Sequence, residues 1–323
     1  MEGRMTGSVS GTQDVARSVT EELDALELAL GGANNTRFAS AANEDARLGV
    51  VAFPLEGGDA DKRVNRRADE PFTAASTIKV YVLQALLESV AAGRHGLHDP
   101  VELAAEDQVT GSGVLKTLVT GRAYTLLDIA TLMIVVSDNT ATNLLVELLG
   151  TERINGVIQA HGWSGTHLRG KLQVKRAPDS GPVTPSRTTP RDLADYFARL
   201  WRGELLPVDL TEVAKRIYSA QQFTELGRAL DYDQYSAEVG DSDVLIASKS
   251  GSVRGVRNDA GVVTLDALTE RPSRFVVAVM TDGCPDLRFH PENLGARVVG
   301  KAAATVLRRL SREGPSARTF TRP

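Results

Sequence analysis

Three short residue groups in this chain carry side chains suited to acyl transfer. The first is Ser76-Thr77-Ile78-Lys79, at the opening of a stretch with helical spacing. A serine and a lysine three residues apart lie on one helical face, where the amine can take the hydroxyl proton and leave a nucleophile. A helix N-terminus at Ser76 adds unpaired backbone N–H groups and the positive end of the helix dipole beside any developing oxyanion. For Lys79 to act as a base near neutral pH, burial or a neighbouring cation must lower its pKa. Taken alone, the pair reads first as a capping serine and a solvated lysine.

The second group is Ser137-Asp138-Asn139, squeezed between two helical stretches. A hydroxyl there can relay a proton to a leaving group, and an asparagine amide can orient a carbonyl. By itself it reads as an N-cap cluster. The third is Lys249-Ser250-Gly251, ending the strand-like run VLIASK. Alternation puts Lys249 and Gly251 on one face and Ser250 on the other. Gly251 permits close approach to the backbone, and the Ser252 N–H can serve as an oxyanion donor. Alone it reads as an ordinary strand end.

Several elements must carry these groups. The spacing predicts a helix over 15–30 stopped by Gly31-Gly32, short hairpin strands over 47–55 and 62–68, and helices over 77–92, 125–136, 140–149 and 189–200. Residues 162–185, rich in Gly and Pro, read as a long loop, and such loops are usually functional. After helical residues 213–222, strands return at 244–249, 259–265 and 274–281, and a helix closes the chain over 293–310. This order predicts an α+β fold: an antiparallel sheet domain from residues 15–71 and 207–312 with terminal helices, and an inserted all-helical domain, 72–206, carrying Ser76. Residues 1–14 and 313–323 read as flexible tails.

Composition removes other classes of function. Lys plus Arg total 37 against 41 Asp plus Glu, a net charge of −4, so no broad positive field favours nucleic acid. A single cysteine, Cys284, excludes an intramolecular disulfide and disfavours a thiolate zinc site. The five histidines show no H-E-x-x-H spacing, and a pair at His95 and His98 sits in a Gly-rich turn, so no metal or organic cofactor is expected. No apolar stretch approaches the ~20 residues of a membrane span. The polar N-terminus lacks the apolar core of a secretory signal. The expectation for the chain as it stands is a cytoplasmic monomer; a chain trimmed of a leader would look the same.

Jointly and in this order, S-x-x-K, S-D-N and K-[ST]-G match the signature set of active-site-serine β-lactamases and penicillin-binding proteins. The chain resembles the class A β-lactamase family, and the likeness runs through RRADEPFTAASTIKVYVLQALL, LLDIATLMIVVSDNTATNLLVELLG, TTPRDLADYFARLWRGELL, SKSGSVRGVRNDAGVV and SRFVVAVMTDG, roughly residues 47–310. The resemblance implies the β-lactamase-like fold with the serine in a cleft between domains. It further implies Ser76 as nucleophile, Lys79 as its proton partner, Ser137 as proton shuttle to the leaving nitrogen and Asn139 as a substrate-orienting amide. Lys249 and Ser250 would hold a substrate carboxylate with the help of Arg254 or Arg257, each of which reads equally as a solvated turn residue. The N–H groups of Ser76 and Ser252 would form the oxyanion hole, and Gly111-Ser112-Gly113 part of the cleft rim.

One departure stands out. The family carries a glutamate, in an E-x-x-L-N pattern, on the loop before T-T-P, and that carboxylate activates the water that releases the acyl-enzyme. Here the loop reads HLRGKLQVKRAPDSGPVTPSRTTP. Ungapped counting from Asn139 to Pro190 puts Gln173 at the glutamate position, and a one-residue shift puts Leu172 there; the loop's one acid is Asp179. General-base catalysis is worth roughly 10²–10⁴-fold, so release by water should suffer by about that factor. The expected partner is a small molecule bearing a carboxylate, whether β-lactam, peptide or ester. The leading expectation is an acyl-serine hydrolase or acyltransferase. A β-lactamase with another deacylation base and a β-lactam or cell-wall-fragment sensor that stays acylated are the alternatives, and a non-catalytic scaffold ranks last.

Overall fold

Alternating apolar residues in the strand runs give the central sheet two buried faces. The computed structural model describes residues 9–32, 45–57, 62–172 and 185–311. In chain order the elements are α1 (Val9–Gly31), β1 (Arg47–Pro54), β2 (Val64–Arg66), β3 (Phe72–Thr73), a 3₁₀ turn (Ala75–Ile78), α2 (Lys79–Ala91), β4 (Pro100–Leu103), β5 (Arg122–Thr125), α3 (Leu126–Val135), α4 (Asn139–Leu149), α5 (Thr151–Ala160), β6 (Arg187–Thr188), α6 (Pro190–Trp201), α7 (Val208–Ser219), α8 (Gln234–Glu238), β7 (Val244–Val253), β8 (Val256–Leu265), β9 (Ser273–Asp282) and α9 (Leu294–Leu310).

The main sheet has the order β2-β1-β9-β8-β7 and is antiparallel throughout. Chain-early β1 therefore pairs with chain-late β9, as Arg47↔Asp282 through Pro54↔Phe275. Period-two alternation sends Leu48, Val50, Val263, Val277 and Val279 into a core shared with Val19 and Leu23 of α1 and Val299, Ala303 and Val306 of α9. Val51, Phe53, Val262, Val276 and Met280 point the other way, into a larger core filled by the helices that follow β3.

At the centre of that larger core lies α2, whose residues 79–87 are all buried. A helix apolar on every side belongs inside a core, and α2 packs against α3, α4, α5 and α7. Its buried charge, Lys79, is thereby held out of water. Between α6 and the sheet, α6 covers β8, β9 and β1.

Boundaries differ from the sequence expectation in three places. Helix α1 starts at Val9 and not at residue 15, because adding a turn to an existing helix is cheap. Helix α7 starts at Val208, directly after Pro207, whose ring fixes a φ suited to the step into a helix. The short pairs β3–β6 and β4–β5 carry too few residues for a periodic signal. The β3–β6 pair matters for the site, since Phe72↔Thr188 and Thr73↔Arg187 join the chain just before Ser76 to the end of the long loop. The 313–323 tail lies outside the described residues, and no helix of the described residues is long and apolar enough to cross a membrane.

Candidate active site

Ser76 sits in the 3₁₀ turn just before α2, one turn short of the position expected for it. In such a turn residues i and i+3 eclipse, so Ser76 and Lys79 still share a face. The turn is fastened on three sides. Thr73 N donates to Asp282 Oδ2 (3.1 Å), Ala74 N to Ser186 O (2.9 Å), and Asn258 Nδ2 donates to Thr73 O (2.8 Å) and Ala74 O (3.3 Å). Ala75 adopts φ +47°, uncommon for a residue with a Cβ, and Ser137 does the same at +54°. Such strain persists only where the surroundings over-determine it, and here it flanks both hydroxyls.

Strand β7 approaches this turn closely enough to need glycine. A Cβ on Gly251 would stand 2.8 Å from Thr77 N, 2.9 Å from Ser76 N and 3.0 Å from Ala74 O. Gly251 thus brings the strand carrying Ser252 against the Ser76 backbone.

Behind the serine runs a buried hydrogen-bonded chain. Lys79 Nζ donates to Ser137 O (2.8 Å), Ser137 Oγ (3.1 Å) and Asn139 Oδ1 (3.0 Å). From the other side Lys249 Nζ donates to the same Ser137 Oγ (3.1 Å) and to Ser250 O (2.6 Å). Both lysines are fully buried. Burial first, and the Lys249 charge second, hold the Lys79 amine well below the ordinary lysine range, while Asp138 pulls the other way. Burial pushes Lys249 down to about 7 against the opposing pull of Asp259. The Ser76 hydroxyl makes no hydrogen bond to the described residues. The hydroxyl that links the two lysines is Ser137.

A cavity of about 500 Å³ opens over Ser76, lined also by Ser112, Asn139, Leu172, Ser252 and Arg254. Gly111 belongs to the same wall, while a Cβ on Gly113 would collide with Asp138 at 2.2 Å. Asn139 Nδ2 donates to Thr110 O (3.2 Å), and its second N–H has no partner among the described residues. Lys249 stands behind this lining, and Ser250, on the opposite face of β7, is not part of it. Arg257 is also absent. Its guanidinium donates to Val253 O (2.7 Å), Val256 O (2.7 Å) and Arg288 O, and it lies over the Phe289 ring. Of the two arginines considered for a substrate carboxylate, the structure brings only Arg254 to the cavity; backbone carbonyls hold the other. Gln173 and Asp179 lie outside the described residues.

Three further residues gave no signal as isolated letters. Asp138 caps α4 by accepting from Ala141 N (3.0 Å) with one oxygen, and with the other accepts from Val114 N (2.6 Å) and Leu115 N (2.8 Å). The capping reading of the S-D-N group therefore holds for its middle residue, while its outer two face Lys79. Asn143, one helical turn after Asn139, grips the long loop: its Oδ1 accepts from Leu172 N (2.6 Å) and its Nδ2 donates to Leu172 O (2.8 Å). Its spacing in SDNTATN is the signal that could have found it. Asp259, opposite Ser250 in the β7–β8 register, accepts with Oδ2 from Thr224 Oγ1, Glu225 N and Leu226 N, and its Oδ1 is buried without a partner. Burial raises this carboxyl to about 6. Among the described residues no cluster of three or more His, Cys, Asp or Glu is placed to hold a metal ion.

A half-buried serine three residues before a buried lysine whose pKa is lowered, with a second serine bridging two buried lysines, belongs to the class of active-site-serine hydrolases. The comparisons give the family. The model of the beta-lactamase enzyme family matches residues 34–310, so the chain belongs to that family. It is 30% identical over 272 residues to a β-lactamase of Streptomyces fradiae, covering 81% of each protein. The crystal structure of a β-lactamase from Sphaerobacter thermophilus superposes with a TM-score of 0.73 at 28% identity, covering 91% of this chain and 97% of that one. PBP-A shares the fold, with a TM-score of 0.67 at 23% identity over 95% and 97% of the two chains. The protein is a β-lactamase-like serine hydrolase whose mixed sheet-and-helix architecture is that of the class A enzymes.

Proposed function

We propose that the protein forms an acyl-serine at Ser76 from a β-lactam, or a related amide or ester that carries a carboxylate, and releases the acyl group slowly to water or to another acceptor. Neutral Lys79 takes the Ser76 proton as Oγ attacks the carbonyl carbon, and the N–H groups of Ser76 and Ser252 receive the oxyanion. As the C–N bond breaks, Ser137 Oγ gives its proton to the leaving nitrogen and is resupplied from the Lys79 ammonium. Arg254 on the cavity wall, with Lys249 buried behind it, attracts the substrate carboxylate, and Asn139 orients the acyl amide. The observation that carries this reading is Ser137 Oγ at 3.1 Å from both lysine nitrogens. A hydroxyl so placed has a donor on either side and is a ready proton conduit.

Slow release is argued from Leu172. It is the loop residue that Asn143 clamps, it lines the cavity with Ser76, and its isobutyl side chain cannot activate water. Turnover as a β-lactamase is the second reading, favoured by the 30% identity to the Streptomyces enzyme. Intact mass after mixing with a penicillin and a cephalosporin separates the two. The expected result is a stoichiometric adduct that persists and is absent from Ser76→Ala. Consumption of drug without a lasting adduct favours the second reading. No adduct and no consumption, with p-nitrophenyl esters also inert, would sink both.

A further inference from the structure

The cavity over Ser76 has a charge pattern unlike that of the chain around it. Acidic residues outnumber basic ones overall, with a net charge of −4. Yet every charged residue lining the cavity is a cation: Arg169 and Lys171 on the long loop, and Arg254 at the turn between β7 and β8. Loop and turn form different walls, so positive charge meets a bound molecule from two sides.

The loop cations stand on an anchored stretch of backbone. Asn155 exchanges hydrogen bonds with Leu168 N (2.9 Å) and Leu168 O (2.8 Å), Arg169 N donates to Ser186 Oγ (3.0 Å), and Asn143 holds Leu172 at both backbone atoms. Residues 168–172 are thus pinned at both ends, so the backbone that carries Arg169 and Lys171 is in place before binding and only their side chains must be ordered. Lys171 pairs with Glu147 on α4, but both side chains are substantially exposed, and such a surface pair exchanges partners cheaply. Leu172 completes the pattern, because a carboxylate there would repel an anion drawn in by its neighbours.

We infer that the preferred acyl donor is dianionic, with one carboxylate at the Arg254 side and a second, on the acyl side chain, facing Arg169 and Lys171. This rests on the acyl-serine reading and narrows its substrate class. One carboxylate answers Arg254, and only a second uses the cations of the opposite wall. Positive potential from converging walls of a cleft raises both local concentration and on-rate for such a ligand.

Benzylpenicillin and carbenicillin form a matched pair that differs by one carboxylate on the acyl side chain. Second-order acylation constants are measured for both by intact mass or stopped flow, at low salt and at 0.5 M NaCl. The expected carbenicillin-to-benzylpenicillin ratio is about two- to thirtyfold at low salt, from two exposed charge contacts of about 0.2–1 kcal/mol each. It falls towards one at high salt, and below one in the double variant Arg169→Glu/Lys171→Glu. Benzylpenicillin acylation of that variant also reports that it has folded. A ratio at or below one in the unaltered protein at low salt overturns the inference, as does a ratio that charge reversal leaves unchanged. If benzylpenicillin acylates Ser76 while carbenicillin shows no preference, only this inference falls. If neither reacts, this inference falls, and if p-nitrophenyl esters are also inert the acyl-serine reading falls with it.

Discussion

Replacing Gly251 by alanine tests whether the approach of β7 to the Ser76 turn sets the reactive geometry. The added Cβ would lie 2.8–3.0 Å from Thr77 N, Ser76 N and Ala74 O, where ordinary contact begins at 3.4 Å. All three are backbone atoms, so no side chain can swing aside. Gly251 does not have a left-handed φ, which leaves steric contact as the whole effect. Turn and strand must part by about half an ångström, while Asn258, Asp282 and Ser186 hold the turn where it is. Overpacking of this kind costs about 1–3 kcal/mol, or a few degrees of Tm in a chain of this size. A 1 Å misplacement at a reacting centre costs about a hundredfold, so half that distance corresponds to about tenfold in the acylation rate. The assay is the single-turnover rate of adduct formation with benzylpenicillin, with thermal unfolding alongside. An alanine variant with the wild-type acylation rate and an unmoved Tm would refute the reasoning.

Two other outcomes follow from residues the cavity and sheet bury. Leu172→Glu puts a carboxylate on the backbone that Asn143 clamps beside Ser76, and it should shorten the lifetime of the penicillin adduct by about 10²–10⁴-fold, read by mass after removal of free drug; an unchanged lifetime would show that Leu172 does not face the ester. Asp259→Asn isolates one carboxyl whose folded pKa of about 6 stands above its ordinary 3.8. A raised carboxyl means the native state holds the proton more tightly. The stability it contributes is fully present below about pH 4 and is lost as pH rises to 6, about 3 kcal/mol in all. The stability of the variant relative to wild type should therefore climb between pH 4 and 7 in urea unfolding, and a pH-independent difference would contradict the assignment.

The proposed chemistry was legible in the sequence where its residues are local. Ser76 and Lys79 are three residues apart, and Ser137 and Asn139 flank one helix cap, so a short segment fixes their relative placement whatever surrounds it. Strand periodicity likewise showed a sheet made from both chain ends, because the alternation of Leu48, Val50 and their partners is written into each strand. The loop was visible as a run without periodicity.

Only the folded chain could decide which of these side chains meet. Lys249 and Lys79 converge on Ser137 across 112 and 58 residues of sequence, and their depressed pKa values come from burial that neither short motif encodes. Arg254 and Arg257 look alike as letters. The β7–β8 turn exposes the first to the cavity and folds the second onto three backbone carbonyls. Gly251 announces no more than flexibility in the sequence, and its purpose appears once the Ser76 turn lies against it. The sequence by itself determined the candidate reactive groups and most of the elements that bear them. Long-range packing decided their distances, their protonation and the charge of the cavity they face, because burial and Coulomb interaction depend on neighbours in space and not on neighbours in the chain.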